Sequence, residues 1–433
     1  VRILAPQPFM INFLDKFIKR TNNLDYISQG VVNLLDDIPI KKIFESIHNF
    51  SEESEIRYVG GCIRKIIRKE KPDDIDLATN LYPQQVCEAF DKSNIDYYKT
   101  GFEHGTITAI VDGYKFEITS LREDIKTDGR HAEVKFSMDW KKDASRRDFS
   151  INSIYSDLKG NLFDPYNGKD DLTKGLIKFI GDPELRIKED YLRIIRYLRF
   201  FLSYSNHKHD PKVVKIIKKN LDGISTLSKE RLLDELKKFM KLNILLKLTK
   251  DKFSIELFEI IFPQIKRIKI LSNLNPFAKI KIQESDFIFL LSLLIIDGTD
   301  NADYFMYKFN MSKKDQIRLK IIDRFYKEKI TVNSFSEKNL NKIFYYHGKQ
   351  AVNDILNYKI FSLKKIDKRM IDLNEQFKSK VLPIMPISAK ILNEKYGIMF
   401  GKNLGDMLKI IEKEWVNNNF QLSQSQIDKI INR

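Results

Sequence analysis

Hydrophobic residues recur with two different periods along this chain, and the switch between them confines any β-sheet to one short block. Up to about residue 50 the pattern is helical and amphipathic, as in Ile40 to Phe50. Between about 56 and 165 short β-rich runs (Arg57–Val59, Ile75–Ala78, Thr106–Val111, Tyr114–Ser120, Asn161–Phe163) alternate with helix-like ones such as Pro83–Asp91. Asp112-Gly113, between two alternating runs, predicts a hairpin. From about 170 to the end nearly everything reads as helix, broken at Asp297–Asp303, at Val381–Ser388 and at Gly397, Gly401 and Gly405. There is no fixed-period repeat and no low-complexity tract. The expected class is α+β, a small mixed-sheet head followed by an all-helical remainder. A length of 433 residues calls for two to four domains.

Composition narrows the partners. A net charge of +16 points to a polyanion, nucleic acid before an acidic membrane. The joint richness in Lys, Ile and Asn discounts that signal, because an AT-rich genome produces it without selection for binding. Residues 201–250 nevertheless carry twelve Lys or Arg against five Asp or Glu, which on helices can line a groove for a phosphate backbone or simply face solvent. The longest apolar run, Phe287 to Ile296 with only Ser292 interrupting, is too short to span a bilayer, so no membrane partner is expected. Cys62 and Cys87 form no disulfide framework or zinc pattern and fit a reducing, cytoplasmic setting. The six histidines show no metal-ligand spacing. No secretory segment is expected ahead of the first domain, and Val1 points to a non-AUG start or to one elsewhere, with Met10 a candidate.

Chemistry enters at residues 58–79. Tyr58-Val59-Gly60-Gly61-Cys62-Ile63-Arg64 is followed, after a basic stretch, by Asp74-Ile75-Asp76-Leu77-Ala78-Thr79. Residues i and i+2 of a strand share a face, so Asp74 and Asp76 can converge on one or two cations. Gly60 and Gly61 offer backbone N–H groups at a strand-to-helix turn where a phosphate can dock. A phosphate cradle beside paired acids is what metal-assisted nucleotidyl transfer requires. On this segment alone, acids at a surface turn explain the pattern equally well.

Two further segments bear on a nucleotide. Arg146-Arg147-Asp148, followed by Asn152, places two guanidinium forks and a carboxylate at one helix end. Arg pairs with triphosphate oxygens and Asp accepts from a ribose hydroxyl. Asp190, Arg193, Arg196 and Arg199 recur every three residues, so neighbours are expected on one side of a helix. They read either as an ion-paired surface or as a base selector. A carboxylate only accepts hydrogen bonds and a guanidinium only donates them. Cytosine and adenine each offer an amino donor beside a ring acceptor, whereas uracil and guanine offer the reverse order. An Asp–Arg pair can therefore take C and A and refuse U and G, and unpaired buried polar groups can cost the wrong base on the order of 10⁴-fold.

With these segments in order, the chain resembles the class II CCA-adding enzymes, the family of bacterial tRNA nucleotidyltransferases and poly(A) polymerases. The Gly-Gly-x-[Val/Ile]-Arg and Asp-x-Asp-x-Ala-Thr motifs match at Gly60, Gly61, Ile63, Arg64, Asp74, Asp76, Ala78 and Thr79. Arg146-Arg147-Asp148-Phe149 with Asn152 matches the ribose-selecting motif, and Glu189-Asp190 with Arg193 and Arg196 the nucleotide-template helix. Leu227-Ser228, Glu230, Arg231 and Glu235 match the motif that braces that helix. His104-Gly105-Thr106, Arg122 and Asp128-Gly129-Arg130 fit the intervening strands and loop, and Gly397, Gly401, Gly405, Leu408 and Trp415 fit the tail. The match runs from about residue 40 to 425.

The resemblance implies a fold and a set of roles. It predicts an N-terminal helical extension (1–39), a catalytic nucleotidyltransferase head (40–168), a helical neck with the template helix (169–245), and a tRNA-binding helical body and tail (246–433). The activity implied is template-independent addition of C, C and A to the tRNA 3′ end from CTP and ATP, with Mg²⁺ as cofactor and no protein partner evident. Asp74 and Asp76 would bind Mg²⁺, with Glu117 a possible third acid. Gly60, Gly61 and Arg64 would hold the triphosphate; Arg147, Asp148 and Asn152 would bind the nucleotide around its ribose. Asp190 and Arg193 would read the base, with Arg196 and Arg199 fixing the template or the phosphates. A poly(A) polymerase, an enzyme adding only CC or only A, and a non-catalytic RNA-binding relative share these motifs. Two residues depart from the family: Lys65 stands where an Asp usually follows the arginine, which bears on how Arg64 is oriented, and Phe400 stands where a proline is common.

Overall fold

A computed structural model describes residues 25–37, 39–72, 74–127 and 132–432. Most of the expected N-terminal extension, Asp73, and the Asp128-Gly129-Arg130 loop lie outside the described residues. The chain divides into two compact units, Val1–Leu227 and Ser228–Arg433. That division falls within the stretch read as neck.

The β-rich block forms one seven-stranded mixed sheet. Its strands are β1 (Ile56–Val59), β2 (Asp76–Thr79), β3 (Asp96–Gly101), β4 (Thr106–Val111), β5 (Tyr114–Ser120), β8 (Tyr155–Ser156) and β9 (Leu162–Phe163), in the order β3-β4-β5-β2-β1-β8-β9. Between them β6 (Arg122–Thr127) and β7 (Ala132–Phe136) pair as a separate two-stranded ribbon. The Asp112-Gly113 hairpin is present, with φ of +50° and +81° at its two central residues, as a type I′ turn demands. β3 and the β6–β7 ribbon were not legible from alternation: β3 exposes most of its side chains, so neither face imposes an apolar period.

Pairing places the site. β2 runs antiparallel to β1 and parallel to β5, which sets Asp76 opposite Glu117. Helices Lys41–His48 and Pro83–Lys92 pack together beside the sheet, and Phe44, Tyr58, Ile63, Phe90, Ile107 and Ile118 are buried. Each such side chain contributes about 1.5–3 kcal/mol of burial.

Two helices, Pro183–Glu189 and Leu192–Tyr204, follow the sheet. The second unit is helical among its described residues. The apolar run forms the helix Phe287–Ile295, buried at every residue from Ile288 on, and it packs against helices Lys313–Lys327 and Glu337–Ser362. Gly397 ends a helix at φ +68° and Gly401 opens the next, but Gly405 lies inside Lys402–Asn417 and breaks nothing. Gly348, unmarked in the sequence reading, interrupts Glu337–Ser362 with φ +80°. Among the described residues no helix is long and apolar enough to cross a membrane.

Candidate active site

The turn after β1 is built on glycine. Gly60 adopts φ +69°, ψ −109°, a region closed to residues with a Cβ, and its N–H donates to the Ile154 carbonyl. Gly61 then opens the helix Gly61–Ile67, so the chain reverses within one residue. On that helix Arg64 donates to Asn152 Oδ1 and to the Tyr204 hydroxyl (3.5 Å), and its guanidinium lies over the Phe200 ring at 5.0 Å. These three contacts involve Asn152, Tyr204 and Phe200, and none of them is made by an acid.

Asp74 and Asp76 are both exposed on the approach to β2. The strand begins at Asp76, one residue later than the sequence pattern implied, so the shared-face argument covers Asp76 alone. Asp74 lies in a bend ahead of it. Glu117 is also exposed and sits level with Asp76 on the neighbouring strand. Among the described residues no three His, Cys, Asp or Glu side chains form a cluster that would hold a metal ion by themselves.

The segment 143–155 forms a buried polar knot. Asp143, 1% exposed, accepts at Oδ1 from Arg146 Nε (2.9 Å) and Nη2 (2.6 Å), and at Oδ2 from Arg147 Nη2 (3.1 Å) and the Tyr155 hydroxyl (2.6 Å). Burial opposes its charge, but Arg146, Arg147 and Tyr155 outweigh burial and hold the carboxyl well below the usual range. Asp148, 7% exposed, accepts from Asn152 Nδ2 (2.6 Å) and the Phe149 amide (2.9 Å) at Oδ1, and from Arg196 Nε (2.6 Å) at Oδ2. Burial alone would raise it; Arg196 and Asn152 hold it down at about 2.

Asp148 meets Arg196 because the loop between them is strapped and plugged. Ile180 N–H donates to the Asp148 carbonyl and Ser150 N–H to that of Lys178. Phe149, fully buried, inserts among Phe179 (4.7 Å between ring centres), Phe200 (5.5 Å) and Tyr197 (6.5 Å). A continuous path therefore runs from Arg64 through Asn152 and Asp148 to Arg196. Phe200 closes it into a ring, lying under the guanidiniums of Arg64, Arg196 (5.6 Å) and Arg199 (4.2 Å).

The segment from Arg186 to Arg199, expected as one base-selecting helix, differs from a single helix. Helix Pro183–Glu189 ends before Asp190, which is extended at φ −156°, ψ 105°, and the next helix begins at Leu192. Asp190 sits ahead of that helix, its Oδ1 accepting from the Leu192 amide at 3.1 Å, rather than on the helix face that carries the arginines. Tyr191 is seated against Gly223, where a Cβ would lie 2.1 Å from the ring. Arg193, 8% exposed, donates to Glu189 Oε2 and to the Arg186 carbonyl, both at 2.7 Å. Arg186 in turn donates to the Arg146 and Arg147 carbonyls, tying the arginine pair to the helix Pro183–Glu189.

Thus Gly60, Arg64, Arg147, Asp148, Asn152, Arg196 and Arg199 come together, while Asp76 and Glu117 sit level on the neighbouring strands β2 and β5 and Asp74 lies in the bend ahead of β2. Sequence reasoning passed over Asp143, Tyr155, Phe200 and Tyr204. The first had a signal: Asp143 stands three and four residues before Arg146 and Arg147, the spacing of helical ion pairs. The aromatic residues had none, since their role depends on contacts across the fold.

Comparison with known proteins places this arrangement. Residues 56–178 match the family described as the Poly A polymerase head domain. The human CCA tRNA nucleotidyltransferase 1, mitochondrial, is 32% identical over 395 residues, covering 87% of this chain and 86% of that protein. The Bacillus stearothermophilus CCA-adding enzyme in complex with CTP shares the fold, with a TM-score of 0.70 at 19% identity over 91% of this chain and 97% of that one. The Thermotoga maritima CCA-adding enzyme complexed with tRNA-CCA does so with a TM-score of 0.56 at 18% identity, over 94% and 98%.

Proposed function

The chain belongs to the CCA tRNA nucleotidyltransferase family, enzymes that complete the 3′ end of tRNA from CTP and ATP, and on that premise we propose which residues carry the reaction here. The observation that carries the assignment is the closed ring of Arg64, Asn152, Asp148 and Arg196 around Phe200, which joins the glycine turn to the base-reading helix. A triphosphate lies against Gly60, Gly61 and Arg64. Arg147 and Asp148 flank the ribose, and Asp190 with Arg193 meets the base edge. Arg196 holds Asp148 from the helix side, and Arg199 stiffens the same face through Phe200.

Family members typically depend on a metal, and Mg²⁺ is the ion the donor set fits. Asp74 and Asp76 would hold it, with Glu117 beside Asp76. When bound it neutralises charge on the α-phosphate and the leaving pyrophosphate. The residues around it do the positioning: the glycine turn fixes the phosphates, and the aromatic ring of contacts keeps the base-reading helix in register with them. Residues 40–168 serve as the head, 169–245 as the neck, and 246–433 as the body and tail. The exposed lysines 212, 215, 218 and 219 offer a cationic face for the acceptor arm. The two cysteines, both free and buried, support a cytoplasmic setting.

The test uses tRNA lacking its CCA end, Mg²⁺, and the four nucleotides singly and mixed. Three-nucleotide extension requiring only CTP and ATP is the expected result. Long A-tails on unrelated RNA would indicate a poly(A) enzyme, and no incorporation a binding protein. Asp76→Ala is expected to abolish transfer and Asp190→Ala to relax base choice; full activity in Asp76→Ala would sink the metal assignment.

A further inference from the structure

We infer that Asp143 is a positioning residue of the nucleotide site, the one buried carboxylate that orients both guanidiniums of the Arg146–Arg147 pair. The inference rests on the proposed nucleotide-binding role of Arg147. Two cations on consecutive residues repel each other, and at a chain reversal their side chains would separate into solvent. Here one carboxylate reaches both, Oδ1 taking Arg146 and Oδ2 taking Arg147, from three and four residues earlier on the helix Trp140–Ser145. The Arg122 backbone amide also approaches Oδ1, at 3.4 Å.

Tyr155 makes the arrangement directional. Its hydroxyl donates to Asp143 Oδ2 at 2.6 Å and accepts from Arg147 Nε at 3.0 Å, so Arg147 is held along one edge by a tyrosine and a carboxylate together. Burial pushes the Tyr155 phenol upward, which keeps its proton in place as the donor. The opposite edge of Arg147 is thereby aimed at the glycine turn: Nη1 donates to the Asn152 carbonyl at 3.4 Å and lies 3.7 Å from where a side chain on Gly60 would begin. Arg146 goes the other way, into an open cleft of about 360 Å³ that it lines with Lys142, Arg186 and Glu189. Asp143 therefore sets which guanidinium serves the phosphate turn and which serves the cleft. Tyr155 itself is fixed by β8, which pairs with β1 immediately before Gly60, so the anchor and the turn move as one body.

The carboxylate is needed, and its shape alone is insufficient. An amide at 143 keeps one acceptor oxygen but turns an N–H₂ toward Arg146 or toward Arg147, and a guanidinium there can only donate. The test compares Asp143→Asn, Asp143→Glu, Tyr155→Phe and Arg147→Ala by steady-state kinetics, varying CTP or ATP and tRNA separately. Asp143→Asn is expected to raise the KM for both nucleotides by about tenfold or more while the KM for tRNA stays within about twofold. Asp143→Glu restores part of that loss, and Tyr155→Phe raises the nucleotide KM by a smaller factor. A merely structural residue would not split the two substrates. Nucleotide KM values at the wild-type level in Asp143→Asn, or KM values for tRNA and nucleotide that rise together, would overturn the inference. Should Asp143→Asn not fold, Tyr155→Phe decides: an unchanged nucleotide KM refutes the assignment. Arg147→Ala separates this from the underlying reading, because an unaltered nucleotide KM there removes Arg147 from the site altogether.

Discussion

Replacing Asp148 by Asn should remove a specific, pH-dependent part of the first unit's stability. The native carboxyl is held at about 2 against an ordinary 3.8, because Arg196 and Asn152 favour the charged form more than burial disfavours it. That displacement corresponds to about 2 kcal/mol of stability. A carboxyl depressed by folding contributes fully above its unfolded value and loses the contribution as pH falls toward its folded value. The window is therefore roughly pH 5 down to 2, with about 1 kcal/mol already gone by pH 3. The amide in Asp148→Asn cannot titrate, so the stability difference between wild type and variant should shrink by that amount between pH 5 and 3. Asp143 titrates in both proteins and cancels. The chain has two tryptophans, Trp140 in the first unit and Trp415 in the second. Urea unfolding followed by fluorescence in a Trp415→Phe background thus reports the first unit through Trp140. Trp140 packs edge-on against Tyr155 at 5.4 Å, close to the site. A wild-type minus variant difference that stays constant from pH 5 to 3 would refute the claim that Asp148 is charge-stabilised by Arg196.

Two glycines give sharper local tests. Gly60→Ala finds room, since the nearest atoms lie 3.7 Å from an added Cβ, so its cost is the backbone conformation, about 1–3 kcal/mol. It should lower kcat/KM for both nucleotides without weakening tRNA binding in a filter assay, and an unchanged kcat/KM would remove the turn from the site. Gly223→Ala puts a methyl 2.1 Å from the Tyr191 ring, forcing Tyr191 and the adjoining Asp190 to shift. Incorporation of UTP relative to CTP should rise in single-nucleotide extension, and selectivity equal to wild type would show that the Tyr191 seat does not set base choice.

Much of the candidate site was legible because each of its motifs is short and its chemistry is restrictive. Gly60 marks a reversal that glycine enters readily, and Asp112-Gly113 marks a hairpin because Asp and Gly both tolerate positive φ. The arginine run at 193, 196 and 199 was readable from helical spacing, whereas its extension back to Asp190 was not. The helix break at Asp190 stands beside Tyr191, which is seated against Gly223, 32 residues away, a contact that no local period encodes. Asp143 carried a readable i,i+3 and i,i+4 signal that looks the same on any solvated helix until burial is known.

The chain's own order of residues determined the α+β layout, the glycine turn and the family, since each depends on periods and on spacings within short motifs. Tertiary structure decided which of those residues meet. Arg64 and Asn152 are 88 positions apart and share a hydrogen bond, and Arg196 reaches Asp148 across 48. Phe200, an unremarked aromatic on an apolar helix face, became the surface on which three guanidiniums rest. Contacts of that kind depend on the packing of Phe149 among Phe179, Tyr197 and Phe200, and packing is a property of the folded chain rather than of any segment of it.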